Sequence, residues 1–213
     1  TEEARASCDG EAGKYMLSLL EDKGIHGLAL WEQGWRHLTT SKKQVKVPAD
    51  IEGMKIRVMD SPSFISMMEG LGALPLVTSM GELYTALQQG AADGQENPLT
   101  TIARRKFYEA QDYLTLTRHT YNPLILGANK KFFDSLPADV QQLLTEAALE
   151  TVPYQREATD AEDVKFLEEL KSKLEVYEPA DEEIALWKEA TKDVLPKFKD
   201  TIGEEILGKF AIK

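Results

Sequence analysis

The sequence predicts an α/β fold, and three observations carry that reading. Short apolar or β-branched runs alternate with amphipathic segments at the spacing of one strand, one turn and one helix. Helix-start signals follow two of those runs directly, SPS at Ser61 to Ser63 and S-x-x-E at Ser79 to Glu82. From Pro137 to about Leu174 the pattern is helical and interrupted only by Pro153, so the alternation leads into one long helix.

Taken in order, the spacing predicts a first helix over Glu11 to Lys23, with Met16, Leu17, Leu19 and Leu20 on one side, Asp9 as N-cap and Gly24 as stop. Two strands follow, His26 to Trp31 and Arg36 to Ser41, joined by the polar turn EQG. After a loop with Pro48 and Gly53 comes the strand KIRV (Lys55 to Val58), then a helix started by Ser61 and Pro62. The unit repeats: a strand around Leu76, a capping box at Ser79 and Glu82, and a helix stopped by Gly90. DGQEN (Asp93 to Asn97) meets Pro98 and a short helix to about Phe107, followed by the strands YLTLTRH and LILGA on either side of Asn122-Pro123. The long helix is expected to kink at Pro153. A last strand, LEVYE, and helices over Asp181 to Phe198 and Ile202 to Phe210 complete the reading.

Composition narrows the function classes. The 213 residues are long enough to bury about three-quarters of the unfolded chain's surface. Thirty-six acidic against 25 basic side chains give a net charge of −11, which repels nucleic acids and anionic lipid surfaces. No apolar run approaches a membrane span, and the first residues, TEEARASCDG, have no signal-peptide pattern. Cys8, the one cysteine, sits beside Asp9, which disfavours its thiolate. The sequence has no zinc-protease, nucleophile-elbow, P-loop, dinucleotide or EF-hand motif. His26, His37 and His119 are scattered, with no second metal-type residue at ligand spacing, so neither a catalytic group, a cofactor nor a metal site is expected.

The informative positions are polar residues at strand ends, because open α/β sheets bind ligands beyond the carboxyl ends of their strands. Arg57 interrupts the apolar strand KIRV just before a helix turn. Its guanidinium suits a two-pronged grip on a carboxylate, and equally a structural salt bridge. Asn97 ends DGQEN beside Pro98, either facing an anion or serving as a turn residue. Arg36 follows Trp35 at a strand start, as a second positive contact with an aromatic wall or as an arginine stacked on that ring. Two arginines and an amide at one edge of an acidic protein locally reverse its sign and favour a small anionic ligand. The acidic stretch from Glu162 to Glu175 reads as a solvated helix face.

The segments GMKIRV, GELYTALQQG, DGQENPLTTI and KFYEAQDYLTLTRHTYNP, in this order, resemble the substrate-binding proteins of TRAP (tripartite ATP-independent periplasmic) transporters, the DctP family. The resemblance runs from about Trp31 to the end of the long helix. It implies a periplasmic-binding-protein-like two-lobe fold with a long bracing helix and the first lobe incomplete. Residues 1–33 and 123–162 would belong to the first lobe, and 34–122 and 163–213 to the second, carboxylate-binding lobe. It implies that Arg57 forms the salt bridge to the ligand carboxylate, that Asn97 assists and that Arg36 is the second arginine, in GWR. Met80 takes an aromatic position of the family, Asp60 a position that tunes ligand choice, and Tyr121 and Asn122, at the end of the returning strand, are weaker candidates beside Trp35 as the aromatic wall.

The function so implied is capture of an organic acid, a C4-dicarboxylate or sugar acid, in the periplasm for delivery to the TRAP membrane subunits, without covalent chemistry. Two alternatives stand beside it. One is an enzyme acting on a small organic acid, for which no positioned nucleophile or base is visible. The other is a non-binding homo-oligomer in which a second copy covers the apolar edge left by the incomplete lobe.

Overall fold

The computed structural model describes residues 1–210. Helices α1 (Glu2–Asp9) and α2 (Glu11–Ser18) precede strand β1 (Ile25–Thr40). Then come α3 (Pro48–Ile51), β2 (Lys55–Val58), α4 (Pro62–Gly70), β3 (Leu74–Val77), α5 (Leu83–Gln88), β4 (Gly94–Pro98) and α6 (Leu99–Arg104). Strand β5 (Tyr113–Asn129) leads through α7 (Lys130–Asp134) into α8 (Ala138–Lys171). Strand β6 (Glu175–Tyr177), α9 (Asp181–Thr191), α10 (Val194–Lys197), α11 (Lys199–Ile202) and α12 (Glu204–Lys209) follow.

Several boundaries differ from expectation for physical reasons. Asp9 ends α1 and does not cap α2, where Gly10 is the N-cap. Asp9 instead receives both terminal nitrogens of Arg156 at 2.7 Å. The first expected helix stops at Ser18, with a separate 3₁₀ turn at Glu21–Lys23 before Gly24, which takes φ 77° as its stop position requires. EQG is not a turn: β1 runs through it, with Gly34 at φ 92° absorbing the backbone twist. Likewise β5 continues through Asn122-Pro123 as one strand. α8, by contrast, runs through Pro153 as the one long helix that the sequence pattern predicts, and its inward face packs on either side of the proline through Ala148 and Val152 and through Phe166 and Leu170. The expected helix Asp181 to Phe198 is divided into α9 and α10; the expected last helix, Ile202 to Phe210, is present as α12, with the short α11 before it.

The chain forms two compact units. The first comprises residues 1–34, 121–161 and those from 200 on, and the second residues 35–120 and 162–199. The residues from Asp200 thus group with the first unit, whereas the sequence reading kept 163–213 together; residues 211–213 lie outside the described residues.

In the second unit the strand order is β3–β2–β4–β1–β5–β6. The sheet is mixed: β2 lies parallel to β3 and β4, β5 parallel to β6, and β1 antiparallel to β4. One core gathers Leu83, Leu87, Ile102, Phe107, Leu114 and Leu170, and another Leu38, Ile51, Ile56, Val58, Met68 and Trp187. Burial of these side chains is the main favourable term for the unit. Gly94 is required where β4 meets β1, because a Cβ there would lie 2.4 Å from the Thr39 carbonyl oxygen. The first unit packs Ala29, Ala148 and Val152 beneath Leu28, Trp31 and Leu126. No helix among the described residues is long and apolar enough to cross a membrane.

Candidate functional site

Strands β2 and β4 run side by side in the same direction, with Arg57 opposite Gln95. Arg57 therefore reaches the carboxyl end of β2, and Asn97 the carboxyl end of β4, both at the same sheet edge. All five residues of β4 are buried although three of them, Gln95, Glu96 and Asn97, are polar. Buried polar side chains must be satisfied by partners, and the arrangement of those partners defines the site.

Arg36, 2% exposed, meets Glu96, whose side chain is fully buried. Its Nε donates to Glu96 Oε2 at 2.5 Å and its Nη2 to Oε1 at 2.9 Å, a two-pronged ion pair. The same Nη2 donates to the Glu96 carbonyl at 2.7 Å and to Asn97 Oδ1 at 3.1 Å. The guanidinium stands 5.3 Å from the Phe64 ring centroid. This corrects the idea of an arginine stacked on Trp35: the ring beneath it is Phe64, and its charge is already matched. Asn97 Nδ2 donates to Gln95 Oε1 at 2.5 Å, and Gln95 Nε2 to Thr39 Oγ1 at 2.9 Å, which fixes the amide orientation.

Arg57 is equally buried, at 3% exposure, but its surroundings differ. Nε and Nη2 both donate to one acceptor, the Thr78 carbonyl, at 2.9 and 2.6 Å. Its Nη1 is buried with no hydrogen-bond partner, and no described carboxylate forms an ion pair with it. Burial lowers its pKa below the ordinary arginine value; the Glu96 carboxylate opposes that shift and the like charge of Arg36 adds to it. A buried guanidinium with a free donor and no counter-charge is costly unless something anionic completes it.

His119 adjoins the same carboxylate: its Nε2 lies 3.2 Å from Glu96 Oε2, with its Nδ1 2.6 Å from Thr117 Oγ1. Burial raises the Glu96 pKa, but the hydrogen bonds from His119 and Arg36 outweigh it and hold the carboxyl below its ordinary value. His37, buried in β1, is pushed down to about 3 by burial, with the charges of His119 and Arg118 adding. Its Nδ1 accepts the Arg118 backbone N–H at 3.4 Å.

The remaining expected site residues scatter. Trp35 lines a separate pocket of about 160 Å³ with His37, Leu99, Leu116 and Leu167. Asp60 is exposed just beyond β2, and Met80 packs against the core around Leu83. Asn122 belongs to the first unit, where its Nδ2 donates to Gln33 Oε1 at 2.7 Å. Tyr121, also there, donates its hydroxyl to Glu32, and burial together with that carboxylate raises its pKa. Sequence reasoning missed Glu96 and the Thr78 carbonyl. The signal for Glu96 was three successive polar residues in a strand flanked by buried partners, which demands an internal ion pair. A backbone carbonyl leaves no sequence signal.

The family of bacterial extracellular solute-binding proteins, family 7 (DctP), matches over residues 1–201. A solute-binding protein of Verminephrobacter eiseniae is 42% identical over 170 residues, which are 80% of this chain and 51% of that protein. The C4-dicarboxylate-binding periplasmic protein DctP of Rhodobacter capsulatus is 37% identical over 200 residues, 93% of this chain and 60% of its own. The crystal structure of a sugar acid binding protein from Advenella mimigardefordensis, in complex with galactonate, superposes with a TM-score of 0.92 at 38% identity, covering 99% of this chain and 69% of that one. The chain spans 51–60% of the length of these two curated relatives. With the family match extending over nearly the whole chain, this protein belongs to the DctP family of bacterial extracellular solute-binding proteins.

Proposed function

We propose that this chain carries the carboxylate-holding half of a TRAP-type solute receptor, which captures an organic acid, a C4-dicarboxylate or sugar acid, in the periplasm and presents it to the transporter's membrane subunits. The carrying observation is Arg57: a buried guanidinium with an unpartnered Nη1 and no ion pair among the described residues. A ligand carboxylate supplies the missing charge and accepts that hydrogen bond. Asn97, locked by Gln95 and Arg36, fixes the neighbouring surface, and Arg36 acts through Glu96 and Asn97 as a positioning residue. The two compact units correspond in this reading to the family's two lobes, with β1, β5 and α8 passing through both. Binding is non-covalent, and no residue is assigned to catalysis.

Similarity supports an acid: the relative from Rhodobacter capsulatus is named for C4-dicarboxylates, and the Advenella structure holds galactonate. The test is thermal denaturation of this chain against C4-dicarboxylates and sugar acids. A ligand at 100 times its Kd adds about 2.7 kcal/mol to the folded state. An upward shift with one acid, lost in Arg57→Met, is the expected result; a shift that survives Arg57→Met overturns the reading.

A further inference from the structure

Arg57 is held by a single acceptor, and a chain of bonds holds that acceptor in turn. Its Nε and Nη2 both donate to the Thr78 carbonyl, at 2.9 and 2.6 Å, so the position of that one oxygen sets the rotation of the guanidinium plane. Thr78 lies just beyond β3, in a segment with little apolar anchorage: Val77 is 45% exposed, and Ser79 is exposed as well. Glu82 gathers this segment through one oxygen. Its Oε2 accepts the Thr78 hydroxyl at 2.9 Å, the Ser79 hydroxyl at 2.8 Å and the Ser79 backbone N–H at 3.3 Å. The Glu82 backbone N–H donates to the Ser79 carbonyl at 3.2 Å, so the turn is closed from both sides. Glu82 directly precedes α5, whose Leu83 and Leu87 are buried in the core, and its carboxylate thereby ties an exposed segment to a fixed helix. The bonds from Ser79 and Thr78 hold the Glu82 carboxyl below its ordinary value, which keeps it a charged acceptor at neutral pH.

We propose that Glu82 is a positioning residue for acid capture: its carboxylate fixes Thr78 and Ser79, so that the Thr78 carbonyl presets the Arg57 fork with Nη1 open to the ligand. The proposal rests on the reading of Arg57 as the carboxylate holder. Nη1 has no hydrogen-bond partner among the described residues, so the two bonds to Thr78 select which edge of the guanidinium stays open. A fork set before the acid arrives loses little freedom on binding, whereas one that must be ordered at that moment subtracts the ordering from affinity. With Thr78 and Ser79 released from Glu82, the carbonyl is free to shift and the fork with it. Glu82 acts here as an acceptor and not as a charge, so the neutral acceptor Gln serves in its place.

Glu82→Ala removes both the acceptor and the charge, and Glu82→Gln removes the charge alone, so the comparison of the two isolates the bonds. Glu82 is exposed, and circular dichroism with a cooperative melt establishes that each variant is folded. The first readout needs no ligand: the Arg57 Nε–H resonance, assigned by its loss in Arg57→Lys, reports the bond to Thr78 through its exchange with solvent. That exchange is expected to be at least about fivefold faster in Glu82→Ala than in the parent, and within about twofold of the parent in Glu82→Gln. The second readout is isothermal titration with succinate and with galactonate. An acid that binds the parent is expected to bind Glu82→Ala at least about fivefold more weakly than Glu82→Gln, a difference that disappears in an Arg57→Lys background, which has no fork to preset. Thr78→Val/Ser79→Ala, which removes both hydroxyl donors from the other side, moves both readouts in the direction of Glu82→Ala. A folded Glu82→Ala that matches Glu82→Gln in either readout, or a difference that persists in the Arg57→Lys background, overturns the proposal and leaves the carboxylate site standing. Binding that is indifferent to Arg57→Met, or binding of neither acid by the parent, overturns the site reading and the proposal with it.

Discussion

Arg36→Met is expected to remove the guanidinium paired with the fully buried carboxylate of Glu96. Glu96 is completely enclosed and receives two side-chain hydrogen bonds from Arg36, leaving His119 at 3.2 Å as its remaining side-chain partner. Methionine fills a similar volume, so the loss is electrostatic and not a cavity. Breaking a buried ion pair by removing one member costs about 3–5 kcal/mol. The pH dependence separates this cause from a packing defect. In the parent the folded-state pKa of Glu96 lies below the ordinary glutamate value of 4.5. Its stabilising contribution is therefore present above that value and is lost as pH falls through the lower, folded one. Without Arg36, burial dominates and the folded-state pKa rises above the unfolded value, so the variant regains stability as pH falls and Glu96 takes up a proton. The difference between parent and variant is then largest near neutrality and shrinks toward about pH 5. Urea denaturation followed by circular dichroism, with midpoint and slope compared at both pH values, measures it. A loss below about 1 kcal/mol at neutral pH, a size typical of exposed pairs, refutes the reasoning. A loss that is the same at both pH values refutes it equally.

Other consequences follow from particular contacts. Ile102→Ala empties a fully buried position in the core beneath β4 and is expected to cost about 2–5 kcal/mol in urea denaturation. Gly94→Ala places a methyl 2.4 Å from the Thr39 carbonyl oxygen and forces β1 from β4, which lowers the melting temperature more than Gly90→Asn, where nothing lies within 4 Å and asparagine tolerates the left-handed φ of 69°. His37, held near 3, stays neutral on acidification, so its ring proton resonance does not titrate between about pH 8 and pH 5. Because its folded-state pKa is depressed, His37 takes stability away as pH falls below the ordinary histidine value of 6.5, the unfolded chain binding the proton first.

Periodicity made the α/β alternation and the long helix legible, because those signals are local. Gly24 ends its turn and Pro62 starts its helix as their backbone chemistry requires. The errors came where tertiary contacts overrode local signals. EQG has the composition of a turn, yet Glu32 is buried by Arg5 and Tyr121, and the strand ladder continues past it. The long helix was no such error: it was legible through Pro153, whose lost backbone hydrogen bond is offset by the packing of Val152 and Ala148 on one side and Phe166 and Leu170 on the other. The capping box at Ser79 formed by half. Glu82 accepts the Ser79 N–H at 3.3 Å, but the serine hydroxyl bonds the same carboxylate at 2.8 Å instead of the backbone.

The candidate site was legible in part for the same reason. Arg57 and Asn97 stood out as polar residues in strands, and the structure places both at the carboxyl end of adjacent parallel strands. Their unequal situations were not legible, since which arginine receives Glu96 depends on β1 crossing antiparallel beside β4, with Arg36 opposite Pro98. Trp35 follows no such signal: strand alternation turns it to the face opposite Arg36, where it lines a pocket with His37, Leu99 and Leu116.

Whether Arg57 holds a carboxylate is tested most directly by titrating the parent and Arg57→Lys with the acid that stabilises the parent. Lysine keeps the charge but not the planar fork that binds the Thr78 carbonyl and leaves Nη1 free. The account predicts that affinity falls by about 2–5 kcal/mol, roughly thirtyfold or more, with the melting behaviour of the unliganded protein largely retained. An Arg57→Lys protein that binds the acid as tightly as the parent contradicts it.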